Sequence, residues 1–299
     1  MDQQHTMNAS GAAHAPDGMP GAVRTHAIAV TGNLRPYVST LMAAEMSATG
    51  PMPLAIAPHE SLMLTVQMGA HSDVEQKGRL GENTNLTGIR QWTGAFMGAG
   101  DCITLFALLT PLGLVHLLES RPVDQVPRIR APVAALLDGY VTRGLESDVA
   151  LAHTLDDKLQ AFGRWLQERA TRNRQHATAA LRAARAAMRV CEQPKVAIET
   201  LADEQHVSRR QLERDFGQWI GTSPRHLSQV ARLQAVSRRA QAGATLADIA
   251  ADVGFADQAH MSRVVRQLTG LTPRGFVRSH SSPMATMWRR ATAGGTVYL

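Results

Sequence analysis

Residues 201–276 read LADEQHVSRRQLERDFGQWIGTSPRHLSQVARLQAVSRRAQAGATLADIAADVGFADQAHMSRVVRQLTGLTPRGF, and this stretch contains one unit twice. Leu201-Ala202 overlies Ile249-Ala250 at an offset of 48 residues. One residue is inserted at Ala256, and from there the offset is 49: Ser208, Leu212, Arg214 and Gly221 overlie Asp257, Met261, Arg263 and Gly270. Ser223-Pro224-Arg225 returns as Thr272-Pro273-Arg274.

Each copy opens with a short amphipathic helix, on Ile198, Leu201 and Ala202 in the first and on Leu246, Ile249, Ala250 and Val253 in the second. Thr245 is placed to cap the second of these helices. Ala197 stands at the same place in the first and cannot, which weakens that start by about 1 kcal/mol. A tight turn follows, at Gln205-His206-Val207 and at Gly254-Phe255-Ala256, and then a second helix. Ser208 and Gln211 have capping-box spacing, and Val207 is placed to staple onto Leu212. Leu212, Phe216 and Trp219/Ile220 fall on the inner face of this helix, leaving Arg209, Arg210, Glu213 and Arg214 outside. In the second copy Asp257 is the N-cap, and Met261, Val265 and Leu268 face inward. Gln258, His260, Ser262 and Arg263 face outward. Between the copies Ser223 caps, Pro224 opens and Gly243 ends a helix of about 19 residues, ~28 Å at 1.5 Å per residue.

The outward residues have the chemistry that base edges and phosphates require. Arg pairs bidentately with guanine O6 and N7, Gln pairs with adenine N6 and N7, and Glu accepts from cytosine N4. The charge balance of the chain agrees. Residues 1–150 carry 9 Lys/Arg against 13 Asp/Glu, a balance of −4, whereas 151–299 carry 22 against 12, a balance of +10. One basic half is what a single polyanion-binding domain requires. The first copy, with three arginines and a glutamate, is expected to dominate affinity over the second.

Upstream the sequence changes character. Met1 to Ala22 has little to bury and is expected to be disordered. From Val23 to Leu109, β-like runs at Thr25–Val30, Leu62–Gln67, Leu86–Trp92 and Cys102–Leu109 alternate with Gly, Pro and Asn, as in a small sandwich or barrel. Pro111 to Leu118 is expected as a short helix. Leu151, Leu155, Leu159, Phe162 and Leu166 form one apolar stripe on a helix, packed on the domain's own sheet or serving as a dimer face. Arg172 to Val190 reads as a basic, alanine-rich helix ending before Pro194. Trp92, Phe96, Phe106, Met63, Met68 and Met97 either line a sensing cavity or close a core. Catalytic signatures are absent: there is no HExxH and no GxSxG, and His59, His71 and His116 lack metal-ligand spacing. Cys102 and Cys191 lack a partner at such spacing too, and are expected to be reduced buried thiols.

The run ETLADEQHVSRRQLERDFGQWIGTSPRHL, a basic linker, and then TLADIAADVGFADQAHMSRVVRQLTGLTPRGFVR resemble the C-terminal DNA-binding domain of AraC/XylS-family transcriptional regulators over about Ala180 to Arg278. Val265 departs from the family's usual Phe, and Ala197 from its common Ser or Thr cap. The resemblance implies base contacts from Arg210, Glu213 and Arg214 and from Gln258, His260, Ser262 and Arg263. It implies phosphate contacts from the helix N-termini at Ser208, Ser223, Asp257 and Thr272, aided by Arg225 and Arg274. The segments LRPYV, PLAIAPHESLMLTVQ and TLFALLTPLGLVHLL are similar to the β-rich sensing domain of one subgroup.

The expectation is therefore an α+β chain. A small β-sandwich or barrel-like domain with following helices occupies 23–175, and an all-α domain of about seven helices with two helix-turn-helix motifs occupies 176–280. Tails fall at 1–22 and 281–299. The expected function is sequence-specific transcriptional regulation on double-stranded DNA by a cytoplasmic homodimer, without cofactor, metal or catalytic residues, and without a membrane span. RNA polymerase and a small-molecule effector are further candidate partners. The competing readings are an enzyme that its DNA-binding domain localises, and a non-specific chromosome-organising protein.

Overall fold

The structure is a computed structural model that describes residues 21–48, 52–69, 84–89, 94–98, 101–119, 122–123, 131–133, 137, 139–172 and 175–280. The two expected tails lie largely outside these residues, as do Trp92, His71 and Arg174. The chain is β-rich first and α-helical afterwards. The strands are β1 (Gly21–Ile28), β2 (Val38–Ala48), β3 (Met52–Ile56), β4 (Leu62–Gly69), β5 (Thr84–Thr87), β6 (Gly94–Gly98), β7 (Cys102–Leu109) and β8 (Ala131–Pro132). They form a six-stranded antiparallel sheet in the order β1-β2-β7-β4-β5-β8 and a two-stranded pair, β3-β6.

Among the described residues, α1 (Pro111–Leu117) lies between β7 and β8, and α2 (Gly139–Leu151) and α3 (Leu155–Thr171) follow the last strand. Seven more make up the C-terminal part: α4 (Thr178–Glu192), α5 (Ile198–Glu204), α6 (Arg209–Trp219), α7 (Pro224–Gln241), α8 (Leu246–Val253), α9 (Gln258–Thr269) and α10 (Pro273–His280). Among the described residues no helix is long and apolar enough to cross a membrane.

The pleat of the sheet explains its one-sided core. Leu41, Ala107 and Leu64 stand in one cross-strand row, and Ala43, Leu105 and Val66 in the next, so all six point to the same face. That face is covered by α3 and α1. The approach of α1 is close: a Cβ added at Gly113 would lie 2.0 Å from the Tyr37 carbonyl oxygen, so only glycine fits. On the opposite face Met63 and Leu108 form a small cluster with Phe106, while Met68 joins the main core. These three candidate cavity residues are therefore packed. Phe96 and Met97 belong to β6.

The apolar stripe turns inward, with one correction. Leu159, Phe162 and Leu166 are fully buried and Leu155 is half-buried, but Leu151 is 73% exposed and ends α2 instead. The reason is local: Thr154 and Asp157 form a reciprocal capping box that starts α3 afresh. Lys158 donates to the carbonyls of Val149 and Ala152, which satisfies the end of α2.

One buried core runs from the sheet through α3 and α4 to Leu212, Phe216, Trp219, Leu227 and Val230. A second core holds Leu233, Val236, Ile249, Ala250, Val253, Phe255, Met261, Val264, Val265, Leu268 and Phe276. The long helix α7 serves both, its first half in one core and its second half in the other. Among the described residues, Ala57 alone of the β-rich part enters the second core.

Candidate nucleic-acid interface

The helix α5 begins at Ala197 without a side-chain cap. Its counterpart α8 begins at Thr245, whose hydroxyl oxygen accepts from the Asp248 amide. Each turn contains one left-handed residue, His206 (φ +56°) in the first and Gly254 (φ +88°) in the second. Ser208 Oγ accepts from the Gln211 amide at 3.2 Å to start α6, and Asp257 Oδ1 accepts from the His260 amide at 2.6 Å to start α9. Both helices end on left-handed glycines, Gly221 and Gly270. The following helices are capped alike, by Ser223 accepting from the His226 amide and Thr272 accepting from the Gly275 amide, each 3.1 Å.

The capping box expected at Ser208 forms only by half. The Gln211 side chain donates to Asp215 Oδ1 at 2.7 Å instead of reaching back to the Ser208 amide. Burial of Asp215 is the cause, because a carboxylate on a buried residue must find donors inside the protein. Val265, the departure from Phe, is fully buried, so its position is filled.

On the outer face of α6, Arg209, Arg210, Glu213 and Arg214 are all exposed. Arg209 bridges Glu199 at 2.7 Å and Glu213 at 3.0 Å, so two of the four residues neutralise each other. Arg214 donates to Gln211 Oε1 at 3.2 Å. Arg210 makes no hydrogen bond or ion pair among the described residues.

On α9, Gln258 and Arg263 are exposed, whereas the other two expected residues are partly engaged. Ser262 Oγ donates to the Gln258 carbonyl at 2.8 Å. His260 is half-buried: its ring stands edge-on to Phe255 at 5.6 Å, and its Nδ1 accepts from the Ala256 amide at 3.4 Å. That acceptor role leaves Nε2 as the donor of the neutral ring.

A concavity of about 440 Å³ joins Gln258, Ser262, Arg263 and Arg274 to Arg266, a residue the outward-face reading left out. Three arginines, two on α9 and one on α10, thus line one hollow. The signal was available, since Arg266 follows Arg263 by three positions and so shares its helical face. Arg225 lies apart from Arg274, in a smaller hollow of about 190 Å³ with His260 and Phe255. The carboxylate of Asp257 occupies the N-terminus of α9, so a phosphate there would meet the free backbone amides and not that side chain.

A second unforeseen residue is Arg232 on α7. It donates to the carbonyls of Pro194 and Gly254 and to Ser228 Oγ, and lies over the Phe255 ring at 5.8 Å. It ties the segment between α4 and α5, and the turn of the second copy, to the linker helix. The remaining candidates sit away from this face: His116 stacks on Tyr37 and lies 2.7 Å from His176, and His59 accepts from the Ser61 amide. Both cysteines are free, and burial pushes their thiols up.

Residues 201–279 match a family model described as a helix-turn-helix domain. The C-terminal domain of AraT, a response regulator from Geobacillus stearothermophilus, is 24% identical, with 33% of this chain and 84% of that one covered and a TM-score of 0.31. ToxT from Vibrio cholerae O395 is 11% identical, with 79% and 95% covered and a TM-score of 0.42. ToxT of strain SCE256, solved with an unsaturated fatty acid bound, is 10% identical over 79% and 94%, again with a TM-score of 0.42. A search of curated proteins finds no match.

Proposed function

We infer, from the AraC-type helix-turn-helix domain at residues 201–279, that this DNA-binding transcription regulator reads two adjacent major-groove segments with α6 and α9 of one protomer. The observation that carries the reading is two side-chain-capped helices of similar length, α6 and α9, separated by one continuous connector helix, α7. The connector α7 has 18 residues, ~27 Å at 1.5 Å per residue. That span suits two successive major-groove faces, ~34 Å apart.

In this reading Arg210, Glu213 and Arg214 on α6 and Gln258, His260, Ser262 and Arg263 on α9 face base edges. Arg225, Arg266, Arg274 and the amides at the capped helix N-termini face phosphates. The preceding residues, to about 175, form a regulatory part that carries dimerisation and effector response. The core that α4 shares with the sheet supports that role, because an effector acts only through a difference in affinity between two states.

A salt titration on a duplex enriched by selection and on random duplexes tests the proposal. The selected site is expected to bind roughly 10³-fold or more tightly at physiological salt. Affinities that converge at every salt concentration would leave charge alone as the binding force and sink the reading.

A further inference from the structure

The half-formed capping box exposes a chain of polar contacts that runs from the interior to the outer face of α6. Arg182 on α4 donates to Asp215 Oδ2 at 2.6 and 2.7 Å. Asp215 Oδ1 accepts from Gln211 Nε2 at 2.7 Å, and Gln211 Oε1 accepts from Arg214 at 3.2 Å. The side chains are 18% exposed at Arg182 and 2% at Asp215, and Arg214 at the far end is exposed.

Chemistry fixes the direction of this chain. A carboxylate held by an arginine is ionised and can only accept, so the nitrogen end of the Gln211 amide must face Asp215. The oxygen end must then point away, toward a donor. Arg214 supplies that donor. One of its five N–H groups is used, which restricts the swing of the guanidinium, and the others make no hydrogen bond among the described residues.

We propose that Asp215 and Gln211 are positioning residues for Arg214, and that they set the strictness with which α6 reads one base pair. The proposal rests on the assignment of Arg214 as a base reader. Bidentate recognition requires a plane, and a side chain swinging on four torsions presents one only part of the time. The interior end of the chain is anchored on α4, which also packs against α1 of the β-rich part. The plane of Arg214 is thereby referenced to the whole molecule and not to α6 alone.

The test is site selection from randomised duplexes with full-length wild type, Arg214→Ala, Arg263→Ala, Gln211→Leu and the paired variant Arg182→Met with Asp215→Leu. The paired change replaces a buried ion pair by apolar side chains of similar size, a replacement that is often tolerated. Gln211 is half-buried, and its single variant keeps the proposal falsifiable should the pair fail to fold. Arg214→Ala identifies the base pair concerned. At that position Gln211→Leu and the paired variant are each expected to lower the preference roughly fivefold or more, with preferences lost in Arg263→Ala unaffected. A preference there within about twofold of wild type, or a uniform loss at every position, overturns the proposal and leaves the base-reading assignment standing. A wild type that enriches no sequence overturns both.

Discussion

His206 and Gly254 occupy the same place in the two turns, and both are left-handed (φ +56° and +88°). Glycine takes this conformation without a Cβ clash, whereas another residue is strained there by about 1 kcal/mol. His206→Gly is therefore expected to stabilise the chain by about 0.5–1 kcal/mol, read as a rise in the denaturation midpoint at unchanged slope. A fall in the midpoint would show that the imidazole makes a compensating contact. The repeat made the turn legible, but not that a histidine would hold it. Glu60 carries a second residue-scale prediction. Its carboxylate pairs with Arg238 at 3.2 Å, but its other oxygen is buried with no hydrogen-bond partner among the described residues, and burial pushes it from 4.5 to about 7. Between pH 4.5 and 7 the folded chain keeps a proton that the unfolded chain has released, so this group's contribution to stability falls as pH rises through that window. Above it the cost is on the order of 3 kcal/mol. Glu60→Gln should gain on wild type by about that amount between pH 5 and pH 8 in denaturant titrations, and a constant difference would count against the raised value.

The elements divide by how local their causes are. The helices of the C-terminal part were legible in their caps and periodicity: Ser208, Ser223, Thr245, Asp257 and the glycines at 221, 243 and 270 all act where they stand. The strand β2, VSTLMAAEMSA, was not legible, because alanine, methionine and glutamate favour helix. Pairing with β1 on one side and β7 on the other overrides that preference. The recognition elements show a similar split. By composition α6 is the more charged reader, yet the Arg209–Glu213 pair cancels within the helix, and α9 gains Arg266 and Arg274 in its hollow. The expectation that the first copy dominates affinity is correspondingly weakened. Arg266→Ala is expected to lower affinity alike on selected and random duplexes and to reduce the slope of log K against log salt by about 0.9. Loss of preference at a single base pair, with the slope unchanged, would make Arg266 a base reader instead.

At the scale of the molecule α6 and α9, the two proposed readers, are not mounted alike. The first shares one continuous core with α4, α3 and the sheet, whereas the second closes a core of its own around Phe255, Met261 and Phe276. Between the second reader and the β-rich part stands the strap 57–60. There Ala57 enters the second core, Gln234 donates to the Pro58 carbonyl, and Arg238 pairs with Glu60. Stability in such a chain is not uniform, and a separate core can open while the larger one stays closed. Phe276 is fully buried in the second core, and Phe276→Ala should cost about 3–5 kcal/mol there through lost transfer energy and an unfilled cavity. In native-state hydrogen exchange the variant is expected to lose protection in α8, α9 and α10, with α4 and α6 close to wild type. The first half of α7 belongs with α4 and its second half with α9, so the boundary should fall inside that helix, between Val230 and Leu233. An equal loss of protection in α4, α6 and α9 would mean that the two cores open as one unit, and the strap at 57–60 would then be the element that couples them.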